Sequence, residues 1–197
     1  MGSVRMGEIA VSADPRDELV ALGLGSCIGL AIVDRVAGVA GLAHIVLPES
    51  QGSGERGKFA DTAVPELVRR LRQAGAVHRR LEAAIAGGAR MFEMSGALDI
   101  GSRNERAVRE ALAKAKIAVG AAATGGDQGR TLRVRVAEGV VTVRVAGRRP
   151  VALLEPAAPG ATPVPRRAAS LHPLSPPRPT GSICGPYPAI SSTQGQP

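Results

Sequence analysis

Four short apolar runs fill the first 47 residues: EIAVS at 8–12, ELVALGL at 18–24, IGLAIVD at 28–34 and VAGLAHIVL at 39–47. Each is of strand length and is punctuated by Pro, Asp or Gly, so four strands are predicted. DRVAG at 34–38 supplies a turn that makes the third and fourth antiparallel neighbours. That pairing folds the segment containing Cys27 back beside the segment containing His44.

Beyond the polar, Gly-rich LPESQGSGERGKF the period changes. Val64, Leu67, Val68 and Leu71 recur at helical spacing, with Arg69, Arg70 and Arg72 on other faces, which predicts an amphipathic helix. Asp61 is the expected N-cap, Pro65 is expected in the first turn, and Gly75 is the expected stop. A buried strand over Leu81–Ala86 turns at Gly87-Gly88, and a second helix over Arg103–Lys116 carries Val108, Ala111, Leu112 and Ala115 on one face. A short strand at 117–123 runs into TGGDQG, where Gly125 and Gly126 read as turn residues. In TLRVRVAEGVVTVRVA, Leu132, Val134, Val136, Val141, Val143 and Val145 alternate with Arg133, Arg135, Thr142 and Arg144, a hairpin with one apolar and one basic face. Strands first, two helices inserted and strands last describe an α+β domain.

Composition divides the chain. Of 15 prolines, 11 follow Val151, in a Pro/Ser/Gly/Ala stretch with too little apolar surface to offset ordering entropy. The expected organisation is therefore a domain over 1–150 and a disordered tail over 151–197. Net charge is +8, but within 1–150 the 22 basic and 16 acidic residues are interspersed, and the chain has one Tyr and two Phe. Without aromatic platforms or a basic block, no nucleic-acid partner is expected. No apolar run is long enough to cross a bilayer and no signal peptide is evident, so a cytoplasmic protein without membrane insertion is expected.

Cys27 and Cys184 are the only cysteines, and Cys184 falls in the tail, where it reads as an incidental thiol, so no disulfide framework is expected. Cys27 sits in LGLGSCIG, where Gly25 and Ser26 suggest a sharp bend that buried filler would not require. A thiol becomes a useful nucleophile when a base lies within reach and backbone donors can hold an oxyanion. His78, beside Arg79 and Arg80, reads as a surface residue. His44 interrupts an apolar strand, which suits either a buried structural histidine or a base. Paired metal-ligand spacings are absent, so neither a metal nor a cofactor is expected.

LGLGSCIGLAIVD, GLAHIVLPES, GKFADTAV, AAIAGGARMFE, IGSRNERAV and TGGDQGR, in this order, resemble the CheD family of chemoreceptor glutamine deamidases over residues 4–148. The resemblance implies an α/β sandwich with mixed β-sheets and two main helices, similar to the deamidase domain of certain bacterial toxins. It implies hydrolysis of glutamine side chains of methyl-accepting chemoreceptors to glutamate, with Cys27 as nucleophile and His44 as general acid and base. Gly25 and Ser26 are then expected to support the turn and the oxyanion site, and Phe92 is a candidate contact for a partner. A CheC-type phosphatase is the implied regulatory partner. One departure stands out: the family's threonine six positions before the cysteine, which orients the histidine, is Ala21 here. Its role must pass to a backbone carbonyl, another side chain or water, or be lost. In the last case the chain acts mainly as a receptor- or CheC-binding adaptation module.

Overall fold

The computed structural model describes residues 2–52, 54–90 and 99–156, together with the backbone of 169–170. In chain order the elements are β1 (Gly2–Ser3), β2 (Ile9–Ser12), β3 (Glu18–Leu24), β4 (Ile28–Asp34), β5 (Val39–Ile45), α1 (Ala60–Gln73), a one-turn 3₁₀ helix (His78–Arg80), β6 (Glu82–Gly87), α2 (Ile100–Lys114), β7 (Ala118–Thr124), β8 (Arg130–Arg135), β9 (Val140–Val145), β10 (Val151–Leu154) and β11 (Ala169–Ser170). They form a five-stranded sheet, order β1-β3-β8-β9-β10, and a six-stranded sheet, order β11-β7-β6-β4-β5-β2. Both are mixed: β1 runs parallel to β3, and β7 runs parallel to β6 and β11, while the other pairings are antiparallel. The expected α+β sandwich with two helices is the fold observed.

Two apolar layers hold it together. Ile28, Leu30 and Ile32 of β4 face α1 and α2, joined by Leu67, Leu71, Val108 and Leu112. Cys27, Ala31 and Val33 face the second sheet, against Leu24, Leu132, Val134 and Val141. Strand β4 is therefore covered on both faces, which is why its sequence reads as an unbroken apolar run rather than an alternation. At its end, fully buried Asp34 accepts hydrogen bonds from the Val36, Ala37 and Val77 N–H groups and pairs with Arg80 at 2.9 Å. This carboxylate closes the β4–β5 turn and ties the 3₁₀ helix to it.

Several expectations need correction. The N-cap of α1 is Phe59, with no side-chain cap, while Asp61 turns outward to accept from the Ser50 N–H at 3.1 Å. The Ala60 N–H instead donates to the Leu47 carbonyl at 3.0 Å, so a neighbouring extended segment does the capping. Pro65 is the sixth residue of α1, in its second turn, where it lacks the N–H that the Asp61 carbonyl would have accepted. Helix α1 does stop as expected: Gly75 has φ 100°, and Ala76 and Gly75 donate back to Leu71 and Arg72 in a Schellman pattern. Helix α2 starts three residues before the expected Arg103, because Asp99 caps it by accepting from the Ser102 N–H. The expected boundary at 150 is too early, since Val151–Leu154 pairs with β9 and buries Leu154. Phe92 and Cys184 lie outside the described residues.

Candidate active site

The β4–β5 hairpin forms in the expected register, with Ile28 opposite Ile45 and Gly29 opposite His44. Strand alternation then sends Cys27, Gly29 and Ala31 to the same face of the sheet as His44 and Leu42, toward the five-stranded sheet. Gly29 is required there: a Cβ would approach Leu24 Cδ1 to 2.7 Å and Leu132 Cδ2 to 3.1 Å.

The turn carrying Cys27 is held by backbone. Gly23, with φ 67°, is the residue that needs conformational freedom. Gly25 donates to the Gly23 carbonyl at 2.9 Å and accepts from the Ala89 N–H at 2.8 Å. Gly25 and Ser26 thus support the turn through their peptide groups, and the bend itself begins two residues earlier than the sequence suggested. The Cys27 carbonyl accepts from the Gly88 N–H at 2.9 Å, and at Gly87, φ 116°, a Cβ would lie 2.1 Å from that carbonyl oxygen. Gly87-Gly88 is therefore a clasp that closes on the Cys27 backbone, and it is braced in turn by Gly125 N–H donating to the Gly87 carbonyl.

His44 is 2% exposed. Its Nδ1 lies 3.4 Å from the Val4 carbonyl oxygen, and its Nε2 is buried with no hydrogen-bond partner among the described residues. A carbonyl can only accept, so Nδ1 carries the proton and Nε2 keeps its lone pair in the neutral ring. Val4 is itself delivered by β1, with the Val4 N–H donating to the Val20 carbonyl at 2.8 Å. Ala21, the next residue, is fully buried between the sheets and offers no side-chain acceptor.

Burial sets the protonation states. It pushes the Cys27 thiol above its ordinary value, opposed by the residue's own backbone N–H. It also holds the His44 imidazole below its ordinary value, opposed by the Val4 carbonyl and the Glu8 charge. Both shifts favour the uncharged form, the neutral thiol for Cys27 and the neutral imidazole for His44.

Two polar residues that sequence reasoning did not single out also converge here. Asn104, fully buried on α2, donates from Nδ2 to the Ser26 carbonyl at 3.0 Å and the Val46 carbonyl at 2.8 Å. Arg130, at the start of β8 opposite Leu24, reaches the Gly87 carbonyl at 3.4 Å. A signal for Asn104 existed: it occupies the buried stripe Gly101, Asn104, Val108, Leu112, where a polar residue must find partners. His78 is exposed at the surface, as expected, with Nε2 2.8 Å from the Ala115 carbonyl.

The family model described as "CheD chemotactic sensory transduction" matches residues 46–145. The "Probable chemoreceptor glutamine deamidase CheD" of Symbiobacterium thermophilum is 46% identical over 153 residues, covering 74% of this chain and 93% of that protein. The "Chemoreceptor glutamine deamidase CheD" of Thermotoga maritima is 44% identical over 145 residues, covering 73% of this chain and 91% of that protein.

Proposed function

The chain belongs to the CheD family, and from that premise we propose that it hydrolyses glutamine side chains of methyl-accepting chemoreceptors to glutamate, with Cys27 as nucleophile and His44 as general acid and base. As Cys27 Sγ attacks the carboxamide carbon, His44 Nε2 takes the thiol proton and the carbonyl electron pair moves onto oxygen. Collapse of the tetrahedral adduct expels ammonia, which takes the proton from His44, and leaves a thioester on Cys27. Water, losing a proton to His44, adds to the thioester. The C–S bond then breaks, the sulfur recovers the proton, and a glutamate side chain departs.

The observation that supports this reading is the β4–β5 register, which pairs Gly29 with His44, together with the packing of Cys27 in the same buried layer as Ala31 and Leu42. The Val4 carbonyl supports it by fixing the tautomer whose Nε2 is basic. The same kinship carries two further proposals, a CheC-type phosphatase as regulatory partner and a cytoplasmic site of action. Among the described residues no helix is long and apolar enough to cross a membrane.

The fully buried Ala21 favours a second reading, a receptor- or CheC-binding adaptation module with vestigial catalysis. Mass spectrometry of receptor incubated with parent and with Cys27→Ala protein separates the two. The deamidase reading expects a gain of about one mass unit at glutamine that depends on Cys27. Receptor binding without that gain supports the module.

A further inference from the structure

Among the described residues, four buried side chains hold a nitrogen or oxygen without a hydrogen-bond partner; three of them sit on the segments next to Cys27, with His44 opposite Gly29, Asn104 on the Ser26 carbonyl and Arg130 on the Gly87 carbonyl. Asn104 is the one bonded to both walls of the site. We propose that Asn104 is a positioning residue for the oxyanion: by holding the Ser26 carbonyl it fixes the Ser26–Cys27 peptide plane and aims the Cys27 N–H at the reacting carboxamide oxygen. The inference rests on the deamidase reading and deepens it.

The geometry follows from peptide planarity. In a trans peptide the carbonyl and the following N–H point to opposite sides of the chain, so fixing one fixes the other. The Ser26 carbonyl is held by Asn104 Nδ2 at 3.0 Å, and the Cys27 carbonyl is held by the Gly88 N–H at 2.9 Å. Both peptides flanking the thiol are therefore immobilised. Among the described residues the Cys27 N–H donates to no other backbone group outside the strand ladders, and it lies on the side of its own sulfur, where it favours the thiolate. An oxyanion forming on the carbon that Sγ attacks would meet this donor. The second Nδ2 bond, to the Val46 carbonyl, anchors the same amide to the strand that carries His44 two residues earlier. A donor fixed before reaction costs no reorganisation when charge develops, which is the source of oxyanion-hole catalysis.

Two rates measured on the full-length protein separate this role from a structural one. Deamidation of receptor glutamine needs the oxyanion donor, whereas alkylation of Cys27 by iodoacetamide needs only an accessible thiolate. Asn104→Ala is expected to lower kcat by about 100-fold, the low end of the cost of losing an oxyanion donor, with KM unchanged and the alkylation rate lowered far less, because burial and not this N–H is the main influence on the Cys27 thiol. Asn104→Leu, which fills the space without a donor, should show the same split, so a cavity cannot explain it. A parent-like kcat, a parallel fall of deamidation and alkylation, or two variants that do not fold would each overturn the assignment. A parent protein that leaves receptor glutamines intact refutes the deamidase reading itself, and the oxyanion step with it.

Discussion

Gly87→Ala places a methyl group 2.1 Å from the Cys27 carbonyl oxygen, on a residue whose φ is 116°. Two costs add. Holding a side chain at that backbone angle costs about 1–3 kcal/mol. Relieving the contact moves the Cys27 backbone by about an ångström and breaks the Gly88-to-Cys27 hydrogen bond, worth about 1 kcal/mol. The expected loss is about 2–4 kcal/mol, read by urea denaturation as a lower midpoint at unchanged slope. The displaced nucleophile should also lose about 100-fold in deamidation rate, the penalty of misplacing a reacting group by roughly 1 Å. Gly125→Ala is the control: its φ is 76°, yet an added Cβ meets nothing within 4 Å. It should lose stability from the backbone angle alone and keep its activity. A Gly87→Ala protein with parent stability and rate, or two alanine variants that lose activity equally, would show that Gly87 does not hold the Cys27 backbone in place.

The site and its supports yield four further outcomes. Ala21→Thr places a hydroxyl in the buried layer between the sheets, at the position where the family's threonine is expected to orient the histidine; it should raise the rate of ammonia release from receptor peptide, and an unchanged rate would show that this position is not limiting. Because burial raises the Cys27 thiol, its alkylation rate should keep climbing with pH beyond the ordinary thiol value of about 8.5, whereas a plateau in mild acid would reveal a thiolate–imidazolium pair. His44 is held below its ordinary value, so its neutral form, and with it activity, persists below about pH 6.5. The same depression means that the unfolded chain takes up a proton before the folded one does, so stability present above that pH falls as the solution is acidified. Asp34→Ala strips acceptors from three backbone N–H groups and from Arg80; thermal or urea unfolding should show a loss of about 3–5 kcal/mol, as for other broken buried pairs.

Much of the scaffold was readable because side chains carried it. The DRVAG turn and the apolar runs on either side announce the β4–β5 hairpin, and with it the neighbourhood of Cys27 and His44. What escaped was mostly carried by backbone. Strand β1 has two residues and pairs through peptide groups alone, so no side-chain pattern marks it, and the carbonyl it presents to His44 belongs to Val4, which reads as an ordinary apolar residue. Gly87 reads as a turn, but the carbonyl it clasps, sixty residues upstream, has no signature in its own sequence. Asp61 resembles a cap because the signal is local, whereas the group that satisfies the start of α1 comes from the Leu47 carbonyl. Val151–Leu154 was lost against the prolines that follow it, although four apolar residues beside a strand edge suffice to extend a sheet.

A thioester on Cys27 can be trapped by acid-quenching the protein during turnover of a glutamine-containing receptor peptide and weighing the intact chain. The expected product is a covalent adduct of peptide mass less ammonia, mapped to Cys27 and absent from Cys27→Ala protein. Glutamate accumulating at the parent rate with Cys27→Ala protein would contradict it.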